Sequence, residues 1–273
     1  MKNLTIISVS YKSVDYLNLN GAFLDRAGIN VKWVVLDNTE GQTEEQDLIK
    51  TYGASSSSNF EWHQGVLDRG IKTKLGENAD WDIWSGSHQH GLALNKGLDY
   101  VGETDYLLFL DPDFFIIPPL SAIIECMEEN NYTFYGAPYH FSKSKLYGGF
   151  PAAFCMFINT KAIDIAKLDF YPGFGDFKTD LYPDVGYKVY EKYGGENCKV
   201  AVPTNGWADF PEIPPKYRLY NLDEKPFGIH PGMKIHNINE GKTRYNAILR
   251  FNLKMFVVMT KFNQIRERYY ASI

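Results

Sequence analysis

YLLFLDPDFF, residues 106–115, runs five apolar or aromatic positions straight into two carboxylates one residue apart. A strand with no polar position is what a central strand covered on both faces requires. Asp111-Pro112-Asp113 then falls where such a strand ends, and Pro112 favours a turn there. The stretch therefore predicts a sheet buried on both sides, with a paired acidic turn at the carboxyl end of one of its strands.

The segments upstream repeat the pattern. Leu4 to Ser10 is a β-rich run that ends in the polar residues Ser10 to Ser13. Val14 to Ala27 is amphipathic and is closed by Gly28 in a helix C-cap position. Val31 to Leu36 is a second apolar strand and ends in Asp37-Asn38. Gln42 to Tyr52 reads as a short helix, Phe60 to Trp62 as a short strand, residues 64–85 as an irregular insertion, and His88 to Val101 as a helix. Alternation of strand and helix predicts an α/β fold with a mostly parallel, open sheet flanked by helices. Such sheets bind ligands at the carboxyl ends of their strands. Ser10 to Ser13, Asp37-Asn38 and Asp111 to Asp113 all converge there.

Downstream, Pro118-Pro119 break the chain and Leu120 to Glu129 suits a helix. Thr133 to Tyr139 and Ala153 to Ile158 read as strands, Lys161 to Leu168 as helical, and Tyr187 to Tyr193 as the continuation of a helix begun near Asp184. Residues 203–226 read as a Pro-rich aromatic loop. The division expected is a main domain over residues 1–240, with halves 1–115 and 116–240, followed by a basic amphipathic helical tail over 241–273. That tail can lie on an anionic membrane or pack back on the domain.

The 273 residues, 44% hydrophobic and 22% charged, support a substantial core, and the net charge of −5 argues against a nucleic-acid partner. Three scattered cysteines suggest neither a disulfide framework nor a zinc cluster. The N-terminus reads as a first strand, with no signal-peptide pattern. These features lead to the expectation of a cytoplasmic protein, with peripheral membrane contact through the tail as the one addition.

Two acids at a strand end can ligate a hard divalent cation, Mn²⁺ or Mg²⁺, and bridge it to phosphate oxygens. A solvated turn is the plainer account of the same residues. Asp80-Trp81-Asp82 matches the spacing but lacks the apolar strand before it, and reads as a surface loop.

The stretch SHQHGLALNKGLDYVGETDYLLFLDPDFFI (residues 87–116) resembles family 2 glycosyltransferases of the GT-A fold. Their Asn- and Gly-bearing helix precedes a strand ending in Asp-x-Asp. Ala93, Asn95, Gly97, Asp111 and Asp113 keep that pattern, whereas Ser87, Gln89 and Gly91 depart from it. IISVSYKSVDYL and VVLDNTE look like the same family's first strand and its strand-Asp-Asn element.

The resemblance implies a metal-dependent transfer, inverting in expectation, from a UDP-, GDP- or dTDP-sugar to a glycan or lipid-linked acceptor. Asp37 would bind the nucleoside, Ser10 and Tyr11 would line the base pocket, and Asn95 would be either a donor contact or a structural helix residue. Asp111 would contact ribose or metal-bound water, and Asp113 would ligate the metal. His236 fits the late histidine of the metal site, with His230 as its alternative, and Lys242 and Arg244 could neutralise phosphate. The family's Glu-Asp pair is absent here. Asp184 stands nearest its place as catalytic base or helix cap, with Asp180 in reserve. Trp207, Phe210, Tyr217 and Tyr220 could form an acceptor wall or simply pack.

Other Asp-x-Asp and sugar-nucleotide enzymes fit less well. A haloacid-dehalogenase-type phosphatase wants the motif on its first strand, and a pyrophosphorylase wants a Gly-rich basic loop after strand one. No Gly-x-Gly-x-x-Gly follows either early strand, which disfavours a dehydrogenase. The non-enzyme alternative is a GT-A-like domain that binds a sugar nucleotide or a partner without turnover.

Overall fold

The computed structural model describes residues 1–11, 13, 16–17, 20–21, 24, 27–39, 59–68, 81–139, 147, 149–172, 184–204, 218–230, 264 and 267. Asp180, His236, Lys242, Arg244, Trp207, Phe210 and Tyr217, the Gln42 to Tyr52 helix and nearly all of the tail lie outside these residues.

Strands β1 (Asn3–Ser10), β2 (Asn30–Asp37), β3 (Asn59–Gln64) and β4 (Tyr106–Leu110) are followed by β5 (Phe115–Ile116), β6 (Phe134–Pro138), β7 (Pro151–Asn159) and β8 (Cys198–Val200). Three more are β9 (Val202–Thr204), β10 (Arg218–Leu222) and β11 (Lys225–His230). Helices among the described residues include α1 (Trp81–Gly97), α2 (Leu120–Glu129) and α3 (Tyr187–Tyr193).

The main sheet has seven strands in the order β3-β2-β1-β4-β7-β6-β8. Strands β1 to β4 are parallel, β7 runs against both β4 and β6, and β8 is parallel to β6. The mostly parallel α/β sheet expected from the sequence is therefore present, with one reversed strand inside it.

Both faces are buried, and the two-residue period of a strand sorts the side chains between them. Leu4, Ile6, Trp33, Val35, Leu108 and Leu110 join one core, into which α2 packs Leu120, Ile123, Ile124 and Met127. Ile7, Val34, Leu36, Leu107 and Phe109 join the other, with Ala93 and Leu94 of α1 and Val189 of α3. Helix α2 ends as its sequence suggests: Asn131 takes a left-handed φ of 54° just past the C-cap Asn130.

Four expectations are corrected. Helix α1 begins at Trp81, so residues 81–85 are not irregular and Trp81-Asp82 opens a helix rather than forming a loop. Lys161 to Leu168 is mostly turn, with only a 3-10 segment over Ile165–Lys167 whose N-cap, Asp164, accepts the Ala166 N–H. The Ser/Thr/Asp-type cap competes well only for a short turn where no apolar stripe supports a longer helix. Helix α3 starts at Tyr187 and is capped by Gly186, so it does not extend back to Asp184.

Finally, residues 203–226 are not simply a loop. They include part of a second sheet of four strands, β5-β11-β10-β9, that is antiparallel throughout. Its hairpin turns on Asp223-Glu224 at φ 47° and 67°, the paired positive values of a type I′ turn.

Candidate functional site

Register brings the polar residues together. Ser10 pairs with Asp37, and Asp37 with Gln64, so the ends of β1, β2 and β3 are level. Asp111 follows β4 directly, and its N–H donates to the Phe154 carbonyl of β7 at 2.9 Å. Phe114 N–H donates back to Asp111 O at 3.0 Å, closing the acidic turn. Buried Asn20 braces that turn from the helix after β1, its Nδ2 donating to Pro112 O at 2.7 Å and Phe114 O at 3.3 Å.

Each carboxylate of the turn faces an imidazole. His90 Nε2 of α1 lies 3.2 Å from Asp111 Oδ1, and His230 Nε2 of β11 lies 3.3 Å from Asp113 Oδ2. The first contact is off hydrogen-bond alignment: His90 Nε2 is buried without a hydrogen-bond partner, and so is His230 Nδ1. Both are close imidazole–carboxylate contacts that are ionic when the ring is protonated.

Burial alone would push both imidazoles towards neutrality. Asp111 outweighs it at His90, with smaller contributions from Asp184 and Asp113, and the His90 pKa is raised. Asp113 does the same for His230. Reciprocally, burial would raise Asp113, but His230 holds it below the usual carboxylate range. The two pairs thus influence each other, and His90 also feels the charge of Asp184.

The His230 placement follows from β-pairing: Ile229 sits opposite Phe115, which sets the next residue of β11 beside the acidic turn. Its ring is stacked on Phe154, with centroids 5.3 Å apart at 15°.

At the other end of this edge, Asp37 is fully buried. Its Oδ1 accepts the Thr39 N–H at 2.9 Å, and its Oδ2 has no hydrogen-bond partner. Asn38 Nδ2 donates to Gln89 O of α1 at 3.1 Å, leaving Asn38 Oδ1 buried and unpartnered. Unmet acceptors in a buried position are costly unless a donor arrives. Ser10 Oγ and Ser13 Oγ lie 3.0 Å apart beside them, and Tyr11 is 47% exposed.

Asn95 has its amide engaged elsewhere. Oδ1 accepts the Phe170 N–H at 2.7 Å and Nδ2 donates to Asp169 Oδ1 at 2.9 Å, so it braces the loop after β7 against α1. Tyr220 is fully buried among Phe114 and Phe154, which places it in packing and not on an acceptor wall.

In the sequence His90, like His88, could either approach the donor or be a polar residue at a helix start. Its signal was its place on the stripe 90, 93, 94, 97, whose other members are buried.

No family model matches the chain, and no curated protein does. Solved structures do resemble it. A mannosyltransferase, PcManGT from Pyrobaculum calidifontis, in complex with GDP-Man and Mn²⁺, is 10% identical over 71% of this chain and 53% of its own, with a TM-score of 0.45. The galactosyltransferase LgtC, in complex with donor and acceptor sugar analogs, is 14% identical over 60% of this chain and 61% of its own, at 0.40. S. aureus TarS residues 1–349, in complex with UDP-GlcNAc, is 16% identical over 62% of this chain and 48% of its own, at 0.39. The chain therefore spans between about half and three fifths of these proteins. At such low similarity, function has to be read from this chain's own residues.

Among the described residues no group of three or more His, Cys, Asp or Glu side chains is assembled as a metal cage. Two His–Asp pairs are present instead. Pairs of this kind suit a cation that keeps several positions for water and phosphate, as Mg²⁺ and Mn²⁺ do. An imidazole that gives up its proton to an incoming cation can add a nitrogen ligand, which suits Mn²⁺ better than Mg²⁺. The two carboxylates fit such an ion as oxygen donors.

No described helix is long and apolar enough to cross a membrane.

Proposed function

We propose that this chain is a GT-A-type glycosyltransferase that moves a sugar from a nucleoside diphosphate donor to an acceptor hydroxyl. One observation carries the reading: two His–Asp pairs and the buried, unmet oxygens of Asp37 and Asn38 share the carboxyl edge of a parallel sheet. That edge offers acceptors for a base or ribose at one end and ionic groups for a diphosphate at the other.

In this reading Asp37 and Asn38 take hydrogen bonds from the nucleoside, with Ser10 and Tyr11 beside them. Asp113 and His230 would hold Mn²⁺ or Mg²⁺, with Asp111 and His90 adjacent, and the ion would supply positive charge against the diphosphate. Asp184 accepts the acceptor's hydroxyl proton as that oxygen bonds to the anomeric carbon. The nucleoside diphosphate departs from the opposite face, so the configuration inverts. His236, Lys242, Arg244 and Asp180 lie outside the described residues and keep their sequence-based roles as candidates.

The test is a panel of UDP-, GDP- and dTDP-sugars with Mn²⁺, read by donor turnover and by calorimetric uptake of Mn²⁺ with the matching nucleotide. Asp113→Ala is expected to lose both, with turnover down by at least about 100-fold. Full turnover in that variant overturns the site. Tight donor binding with no turnover in the unaltered protein would instead indicate a sugar-nucleotide-binding module.

A further inference from the structure

Asp184 precedes α3 without capping it. The N-cap is Gly186, at φ 84° and with no side-chain cap. Asp184 Oδ1 instead accepts the adjoining Val185 N–H at 2.8 Å. Two tyrosine hydroxyls hold the main chain around it. The Asp184 N–H donates to Tyr147 Oη at 2.8 Å, and Tyr139 Oη donates to Val185 O at 2.7 Å.

The two rings lie 4.7 Å apart. Tyr147 is 1% exposed and packs on Tyr187 and Tyr190 of α3, both at 5.8 Å. Tyr139 meets Phe154 edge-on at 5.8 Å. Phe154 in turn takes the Asp111 N–H on its carbonyl and stacks on His230. A chain of rigid rings thus refers the Asp184 turn to the acidic turn across the site. A helix start alone needs none of this, since Gly186 supplies the turn.

We propose that Tyr147 and Tyr139 are positioning residues, a two-hydroxyl clamp that fixes the Asp184 turn relative to Asp111 and His230. The clamp rests on the reading of Asp184 as the base. Their hydroxyls bond the main chain at Asp184 and Val185, so their removal should bear on the proton-transfer step more than on donor binding. Removing either hydroxyl lets the carboxylate wander, and misplacement of about 1 Å can cost as much as 100-fold in rate.

Tyr147→Phe and Tyr139→Phe test this, each made alone and in an Asp184→Asn background. With whichever donor the unaltered protein turns over, each single variant is expected to lower kcat about 10-fold and leave donor KM within about two-fold. Neither should lower it further beside Asp184→Asn. Equal losses in both backgrounds, or a loss confined to KM, overturn the clamp.

Amide hydrogen exchange in the full chain gives a readout free of turnover. Exchange at Asp184 and Val185 should quicken in both variants while the thermal midpoint falls by only about 2–4 °C. Unchanged exchange overturns the clamp whatever the activity. Tyr139→Phe, on the less buried ring, serves if Tyr147→Phe does not fold. If the unaltered protein turns over no donor, the transferase reading fails while exchange still decides the clamp.

Discussion

At Gly65 a single methyl group would be too many. A Cβ built there would stand 1.8 Å from Asn38 Oδ1 and 3.0 Å from the Asp37 carbonyl carbon. The Asn38 amide would have to swing, giving up its bond to Gln89 O in the middle of α1. Gly65→Ala is expected to cost about 1–3 kcal/mol, read as a lowered urea midpoint. An unchanged midpoint would mean that Asn38 is not held as described.

At this scale the sequence disclosed some of the candidate site and hid the rest. The placing of Asp37, Asp111 and Asp113 at the edge of the sheet was legible because each follows an apolar run whose end can be read locally. His230 was legible only as the alternative to His236, because its place depends on which strand pairs with β5, a non-local fact. His236 itself lies outside the described residues. Asn95 was legible as important, but the loop it braces lies more than seventy positions away.

Elements repeat the lesson. Strands β1, β2 and β4 and helix α2 could be placed within a residue or two, since each carries its own period or boundary residues, whereas α3 was legible at its end but not at its start. The second sheet could not. Its hairpin turns on Asp-Glu, not on the Asn-Gly or Asp-Gly that signals a type I′ turn. Glu224 therefore holds a left-handed φ of 67° at a steric cost that glycine would avoid. Glu224→Gly is expected to gain about 0.5 kcal/mol, the relief being partly offset by glycine's freedom in the unfolded chain. Equilibrium urea unfolding checks this, and a loss of stability would contradict the turn assignment. Helix α1 was begun too late because its first turns, WDIWSGS, carry no clear apolar stripe.

The whole molecule has an acid-sensitive joint. Asp169 accepts from Asn95 of α1, from the Tyr171 N–H and from Lys188 of α3, tying both helices on one face to the same loop. Burial would raise its pKa, but Lys188, Asn95 and the Tyr171 amide outweigh burial and lower it. A lowered native pKa contributes stability above the unfolded value of about 3.9, and this is lost as pH falls through the native value. Asp169→Asn should therefore show a smaller drop in urea midpoint between pH 6 and pH 3, on the order of those pH values' effect on one carboxylate. An identical drop in the variant would contradict the linkage.

Pairing of β5 with β11 also sets an order of events during synthesis. The acidic turn and the His90 helix leave the ribosome early, while the strand that brings His230 to Asp113 emerges more than a hundred residues later. Distant strand pairing is slow and comes late in folding. A nascent chain would thus carry Asp113 without His230 for much of its translation. His230 would meet Asp113 only once β11 zips onto β5.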